Sequence, residues 1–176
     1  MAGADARSAL TRQLILFSLH GEHYGLPIAS VREIIRYTPP RVTATARGLI
    51  QGLINLRGRL LPVVDLSGRL GQVLQVSEAT RILVVEVSTG VLGLIVDTVD
   101  GVAQVAVDRI EPIPGAAADD ALGQEIAAID DRLVMLIDPE RALGRVLSGE
   151  AARPDCDEPP SPPRPTGPPP ARRRSA

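Results

Sequence analysis

Apolar residues recur along this chain in short runs separated by Gly, Pro, Asp and Ser, a pattern that favours strands over long helices. The clearest alternation is in "GVAQVAV", residues 101–107, where apolar and polar positions follow one another with the period of two of a half-buried strand. Residues 28–37, "IASVREIIRY", fit either a strand or a short helical turn. Strands are predicted over residues 14–19, 24–28, 48–56, 59–66, 81–87, 91–99, 101–107, 124–130 and 132–138.

The connections between several of these runs have the composition of hairpin turns. They contain Gly21, Arg57-Gly58, Gly90 and Asp130-Asp131. Residues 139–147, "PERALGRVL", begin with Pro, which is favourable at the first position of a helix. This segment therefore predicts a short C-terminal helix.

Nine or ten short strands and one short helix predict an all-β fold. A single barrel of about ten strands would have a wide interior that small aliphatic side chains fill poorly. The chain has no Trp, one Phe and two Tyr, so two five-stranded barrels that share an interface fit it better. We expect residues 1–12 to be a flexible leader, 13–148 to form the two-barrel domain, and the Pro- and Arg-rich residues 149–176 to be a disordered tail.

Polar residues interrupt the strand pattern in two places, at "VREII" and at "NLRGR". In an extended chain Asn55, Arg57 and Arg59 would point the same way, and Glu33 could pair with Arg57 if the two segments pack side by side. One interpretation is a groove for a partner helix, with an apolar floor and a polar edge. The other is an ordinary half-exposed sheet with a structural ion pair, and the residues favour neither.

Composition and charge limit the possible partners. The net charge is −2 for the whole chain and +2 for the last 26 residues, so the first 150 residues carry about −4. An acidic body with 2% aromatic residues disfavours nucleic-acid binding, which needs a basic surface and stacking platforms. A single Cys, Cys156, excludes a disulfide framework, and we find neither a signal peptide nor an apolar run long enough to cross a membrane, so we expect a cytoplasmic protein.

Candidate catalytic and metal-binding residues are few. His20 and His23 flank Glu22 in "HGEH", but no third ligand is evident nearby, so an exposed hairpin tip is favoured over a metal site. The chain has no nucleotide-binding glycine motif and no nucleophile elbow. The acidic residues near the turns fit turn chemistry better than acid–base catalysis. We therefore predict no enzymatic activity, no metal and no cofactor; the acidic residues are Asp97, Asp100, Asp130 and Asp131.

Taken in order, several blocks resemble the CheW-like coupling domain of bacterial chemotaxis. They are "YGLPIASVREII", "GLINLRGRLLPVVDL", "RILVVEV", "VLGLIVDTVDGVAQV", "RIEPIP" and "RLVMLIDPERAL". The resemblance implies two intertwined five-stranded SH3-like barrels and a non-enzymatic adaptor. Such an adaptor joins the cytoplasmic tips of methyl-accepting chemoreceptors to the regulatory domain of a CheA-type histidine kinase, at the membrane-associated receptor array and without entering the membrane.

The resemblance also implies site residues. Val31 and Glu33 match a segment that lines the receptor groove, Asn55 and Arg57 match a receptor-facing turn, Gly52 matches a close-approach position, and Val102 matches a contribution from the second barrel. The kinase contact is expected on the second barrel, near "VLGLIVD" or at the edge of the 81–87 strand.

Two features depart from the family pattern: Arg32 stands where many relatives carry a neutral polar residue, and the tail lies outside the pattern. Two alternatives remain open. One is an adaptor of another kinase-array pathway, such as pilus motility. The other is a small-barrel nucleic-acid-binding protein.

Overall fold

The computed structural model describes residues 10–42, 49–113 and 122–147. Within these residues the chain forms eleven strands and one α-helix, joined in three places by short 3₁₀ turns over Ile28–Ser30, Ser67–Leu70 and Val107–Arg109. The elements are β1 Thr11–Leu19, β2 Glu22–Pro27, β3 Val31–Arg36, β4 Ile50–Leu56, β5 Arg59–Val64, β6 Arg81–Val87, β7 Gly90–Val96, β8 Thr98–Ala106, β9 Ile110–Pro112, β10 Gly123–Ile129, β11 Arg132–Ile137 and α1 Pro139–Leu147.

The strands form two sheets, which confirms the prediction of two barrels. One has the order β8-β1-β2-β11-β10-β9 and the other has the order β3-β6-β7-β5-β4. We call the first the terminal barrel, since strands from both ends of the chain build it, and the second the central barrel. The barrels are intertwined, because the chain leaves the terminal barrel after β2 and returns to it at β8.

The two barrels repeat one pairing scheme. In each, five strands pair in the sequence antiparallel, antiparallel, parallel, antiparallel: β8-β1-β2-β11-β10 in the terminal barrel and β3-β6-β7-β5-β4 in the central one. The bulges also correspond, since the register skips Asp100 on β8 and Arg32 on β3. Each position in one barrel therefore has a structural counterpart in the other.

Alternation along the strands divides the apolar residues among three cores. On β1, Ile15, Phe17 and Leu19 face the central cluster between the barrels, while Leu14 and Leu16 face the cluster inside the terminal barrel. Both faces of β6 are buried, because Leu83 points to the central cluster and Ile82 to the cluster inside the central barrel. Strands buried on both faces explain why β6 and β7 read as continuous apolar runs.

The helix α1 has the predicted bounds, and it connects the barrels. Its first turn is capped by the Asp138 carboxylate, which accepts a hydrogen bond of 2.9 Å from the Glu140 N–H. Its buried residues Ala142, Leu143 and Val146 pack in the central cluster. Since α1 follows directly from the terminal barrel, this packing ties the two barrels together.

Several boundaries differ from the sequence-based expectations. Residues 28–37 contain both proposed structures, a 3₁₀ turn followed by β3. The expected strand over 91–99 is broken at Asp97, whose carboxylate accepts a 2.6 Å hydrogen bond from the His20 N–H at the β1–β2 turn. Strand β9 was not predicted, and β1 begins at Thr11, inside the expected leader. The rest of the expected leader, residues 1–9, and the whole expected tail, residues 149–176, lie outside the described residues.

Candidate functional site

The hairpin between β4 and β5 is built by the polar residues that interrupt the strand pattern. Arg57 and Gly58 have φ angles of +52° and +84°, as the tight two-residue turn requires. The Asn55 side-chain carbonyl accepts a 2.8 Å hydrogen bond from the Gly58 N–H and so holds the turn. The predicted hairpin at Arg57-Gly58 is confirmed, and because the chain reverses there, Asn55, Arg57 and Arg59 do not lie on one extended face.

The turn is fixed to the neighbouring strand by an ion pair. Arg57 donates a 2.8 Å hydrogen bond to the carboxylate of Glu33 on β3, which confirms that these two residues pair. The Arg57 side chain is 78% exposed and that of Glu33 is 27% exposed. A pair this open to solvent contributes little to stability, about 1 kcal/mol at most. The pair therefore contributes little to folding and presents one charge of each sign at the surface.

Arg32 forms a second exposed pair beside the first. Its guanidinium donates two hydrogen bonds, of 2.8 and 2.7 Å, to the two carboxylate oxygens of Glu86 on β6. These bonds hold the pKa of Glu86 below its ordinary value and raise that of Arg32. The two-point contact fixes the plane of the guanidinium at this edge. Arg32, the residue that departs from the family pattern, therefore holds its cation in a fixed orientation next to Glu33.

These groups surround an open cavity of ≈ 440 Å³ at one end of the central barrel, which we call the central mouth. Leu56, Leu61, Val84 and Val91 line it and also belong to the core inside the barrel, so they form an apolar floor. The remaining lining residues are Arg32, Glu33, Arg57, Arg59 and Leu60. An apolar floor with a charged rim is suited to an amphipathic helix.

Gly52 is a close-approach position, but the close neighbour belongs to the chain itself. The glycine is buried with φ +155°, and a Cβ there would overlap the Arg41 carbonyl oxygen and lie 3.2 Å from the Pro40 Cβ. Arg41 and Leu53 exchange two backbone hydrogen bonds, of 2.8 and 3.0 Å, across this contact. Gly52 thus lets residues 40–41 pack onto β4.

The other two sequence-predicted site residues lie elsewhere. Val31, at the start of β3, is partly buried against the central cluster. Val102 lies in the terminal barrel, where it is 62% exposed and pairs with Ile15 of β1. The geometry therefore joins Glu33, Asn55 and Arg57 at one hairpin and leaves Val102 on the other barrel.

Sequence reasoning missed part of the central mouth. Leu60, the second residue of β5, lines this cavity and is 70% exposed, but sequence analysis placed it only within a predicted strand. Arg59 lines the same cavity, but its role was not singled out. The available signal was a large apolar residue, Leu60, on the outward side of a hairpin, because such residues face the core more often than solvent.

The expected kinase-contact region needs correction. Strand β6 pairs with β3 on one side and β7 on the other, and β7 pairs with β6 and β5. The 81–87 strand therefore lies inside the sheet and has no free edge. Both strands also belong to the barrel that carries Glu33 and Arg57, not to the barrel that carries Val102.

The two histidines have protein partners. The His20 Nε2 lies 2.8 Å from the buried Ser67 hydroxyl, and the His23 Nδ1 lies 3.4 Å from the Asp100 carboxylate. Both residues are partly buried, so the expectation of an exposed hairpin tip is wrong for these rings. Among the described residues, no group of three or more His, Cys, Asp or Glu is arranged to hold a metal ion. In the same part of the chain, no helix has both the length and the apolar character to cross a membrane.

Most of the chain matches a known domain family. The family model of the CheW-like domain matches residues 13–146. The chain is 36% identical over 74 residues to a probable chemotaxis protein CheW of Rhizobium etli, covering 42% of this chain and 48% of the relative. It is 38% identical over 73 residues to the protein PilI of Pseudomonas aeruginosa, covering 40% of each chain. The chain thus spans about half the length, or less, of these curated relatives.

A solved structure matches more of the chain. The crystal structure of the scaffolding protein TtCheW from Thermoanaerobacter tengcongensis aligns with a TM-score of 0.66 and 35% identity. The alignment covers 73% of this chain and 90% of that one. The domain match, the relatives and the shared architecture agree, and the chain belongs to the CheW-like domain family.

Proposed function

We propose that this protein is a non-enzymatic chemotaxis adaptor, which couples methyl-accepting chemoreceptors to a CheA-type histidine kinase in signalling arrays. The observation that carries the proposal is the Glu33–Arg57 hairpin pair at the rim of an apolar cavity, in a chain of the CheW-like family. The site has the features of a docking surface, an apolar floor and a charged rim. We place the protein in the cytoplasm, at the membrane-associated receptor array and without membrane insertion.

The receptor contact is assigned to Val31, Glu33, Gly52, Asn55, Arg57 and Val102. These residues have different tasks in the proposal. Glu33 and Arg57 present charge to the helical hairpin of a receptor tip, and Asn55 holds the turn that carries Arg57. Gly52 and Val31 act through the shape of β4 and β3, because both pack against the chain itself.

For the kinase regulatory domain we propose docking outside the 81–87 strand. The strands at the ends of the two sheets among the described residues are β3, β4, β8 and β9. An end strand has side chains and backbone groups that a partner can reach, although on β4 the backbone of Leu53 is already bonded to Arg41. The kinase contact is therefore expected at an outer strand of one barrel.

A second pathway has one observation in its favour, the likeness to PilI of Pseudomonas aeruginosa. Chemotaxis is the preferred assignment, because the relative from Rhizobium etli and the solved structure are CheW proteins. Capture of a kinase and its receptors from the source cells would identify the pathway.

The receptor surface is tested with charge reversals. We expect Arg57→Glu and Glu33→Lys each to weaken binding of a purified receptor-tip fragment by at least about tenfold, since a close charge pair at an interface can contribute several kcal/mol. The matched controls are Arg12→Glu and Glu125→Lys, which break an exposed 2.5 Å ion pair on the terminal barrel. Both control variants should bind the receptor tip as the unmodified protein does.

The double variant Glu33→Arg/Arg57→Glu separates two explanations. This variant restores the ion pair with reversed polarity. If it binds the receptor tip as tightly as the unmodified protein does, the pair only supports the hairpin. Continued loss of affinity supports direct contact with the receptor. Unchanged affinity in both single variants would refute the assigned surface. Failure to bind any chemoreceptor tip and any CheA-type kinase would refute the adaptor function itself.

A further inference from the structure

The terminal barrel has an open end that corresponds to the central mouth. This cavity of ≈ 240 Å³, the terminal mouth, lies between the β10–β11 turn and strands β1, β2 and β8. The shared pairing scheme relates its lining to that of the central mouth position by position. The counterparts are Asp100 and Arg32, Gly101 and Glu33, Ile129 and Leu56, Asp130 and Arg57, Arg132 and Arg59, Val134 and Leu61, Leu16 and Val84, and His23 and Val91.

The two mouths differ mainly in charge. Arg32 and Arg57 of the central mouth are replaced by Asp100 and Asp130 in the terminal mouth. A second carboxylate, Asp131, follows Asp130 in the turn. Neither of these two turn carboxylates has a hydrogen bond or ion pair within the described residues. Among the described residues that line the terminal mouth, Arg132 is the one arginine, so carboxylates outnumber arginines there, whereas the central mouth has three arginines and one carboxylate, Glu33.

The terminal mouth also has apolar surface for a long side chain. Leu16, Ala103 and Val134 line its floor as members of the core inside the barrel or residues packed on that core. Val102 lines it too, and Val102 is 62% exposed. Arginine is the side chain that matches this surface, because its methylene stem lies on apolar groups while its guanidinium pairs with carboxylates.

The chain itself carries a segment of that kind. Arg172, Arg173 and Arg174 are consecutive, and 24 residues, 148 to 171, separate them from the end of α1. An extended Pro-rich segment of this length reaches about 75 Å, whereas a domain of this size is roughly 35–40 Å across. The arginines can therefore reach either mouth. A tether of this kind also gives an effective concentration on the order of millimolar, so a weak contact suffices.

We propose that the Arg172–Arg174 segment of this chain docks in the terminal mouth. The guanidinium groups pair with Asp130, Asp131 and Asp100, and the stems lie over Val102 and the floor. The central mouth, with its basic rim, repels the same segment. One consequence rests on the proposed function: because Val102 belongs to the assigned receptor contact, a docked tail competes with the receptor tip, and its removal should raise receptor affinity.

The docking is tested without any receptor. In the full-length chain, Cys156→Ser removes the single Cys, and Ala176→Cys places a nitroxide label two residues beyond Arg174. We expect the label to broaden the methyl signals of Val102 and Val134 at the terminal mouth. Val84 and Val91, two methyl-bearing residues that line the central mouth, are the internal control and should keep their intensity.

Charge variants give the decisive comparison. Asp130→Asn/Asp131→Asn removes two carboxylates while keeping the turn, because Asn tolerates the positive φ angles of these residues. Loss of the two proposed ion pairs should weaken docking of the tail roughly three- to tenfold, which is measured as recovered intensity of the Val102 methyl signals. High salt should have the same effect. Equal broadening at both mouths, no broadening, or broadening that the double variant does not change would overturn the proposal.

Dilution identifies the source of the arginines. Broadening that is independent of protein concentration places the segment in its own terminal mouth, as proposed. Broadening that disappears on dilution would assign the contact to a second copy and would overturn the intramolecular proposal. A docked tail that leaves receptor affinity unchanged would refute the proposed role of Val102 but not the docking.

Discussion

Gly52→Ala is the substitution whose effect can be worked out most directly from the geometry. The new Cβ would overlap the Arg41 carbonyl oxygen and lie 2.8 Å from the carbonyl carbon. Both neighbours are backbone atoms, so no side-chain rotation relieves the overlap. Residues 40–41 must move away from β4, and the two hydrogen bonds between Arg41 and Leu53 are then lost or lengthened.

The magnitude has three parts. Two backbone hydrogen bonds contribute about 1 kcal/mol each to the free energy of unfolding. An L-residue held at φ +155° adds about 1–3 kcal/mol of backbone strain. The smaller conformational freedom of Ala in the unfolded chain returns about 0.5 kcal/mol. We therefore expect Gly52→Ala to reduce the free energy of unfolding by about 3–4 kcal/mol, which lowers Tm by roughly 10–15 °C.

The assay is urea and thermal unfolding followed by circular dichroism, with Gly58→Ala as the matched control. Gly58 also has a positive φ, +84°, but a Cβ there would meet nothing within 4 Å. The control therefore has backbone strain without overlap, and we expect a loss of about 1 kcal/mol. The difference between the variants, about 2–3 kcal/mol, measures the packing of residues 40–41 on β4.

Comparison of the two variants tests whether the close packing of residues 40–41 on β4 depends on Gly52. If Gly52→Ala unfolds no more easily than Gly58→Ala, the close approach of Arg41 does not constrain β4. Gly52 would then have to influence receptor binding by direct contact. If Gly52→Ala is destabilised as expected and also binds receptor weakly, the binding loss follows from the displaced segment.

Three further predictions concern the core, pH and the tail. Leu143→Ala on α1 should reduce the free energy of unfolding by about 3 kcal/mol, because its side chain is fully buried between the barrels, whereas Leu133→Ala, 65% exposed, should change it by less than about 0.5 kcal/mol. Burial and the hydrogen bond to Glu22 raise the pKa of Tyr24, so its contribution to stability is fully present below pH 10 and is lost above it, by at most about 1.4 kcal/mol per pH unit. Urea unfolding at several pH values measures this loss, and Tyr24→Phe should lack it. Equal dependence of the free energy of unfolding on pH in the two proteins would contradict the prediction. Deleting residues 151–176 should leave Tm almost unchanged in calorimetry, since Pro and Arg bury little apolar surface, and a drop of many degrees would show that the tail packs extensively on the barrels.

The site was predictable in its chemistry but not in its arrangement. The pairing of Glu33 with Arg57 follows from opposite charges in two polar interruptions, and the structure places them 2.8 Å apart. The break at Asp97 was not predictable from residues 91–99. It depends on a hydrogen bond from His20, a residue 77 positions earlier in the chain.

Most of the local structure follows from residues that are close to one another in the chain. Period-two alternation, turn residues such as Arg57-Gly58 and the Pro139 helix start act within a few residues, so strands, hairpins and α1 can be read from the chain. Which strands are neighbours depends on pairing between segments that are far apart in the chain. Strand β6 lies inside its sheet, and Val102 lies on a different barrel from Arg57, because parallel pairing of β2 with β11 and of β5 with β7 joins distant segments. The position-by-position correspondence of the two mouths also results from strand pairing. Backbone pairing is independent of side-chain identity, so equivalent positions hold Arg57 in one barrel and Asp130 in the other.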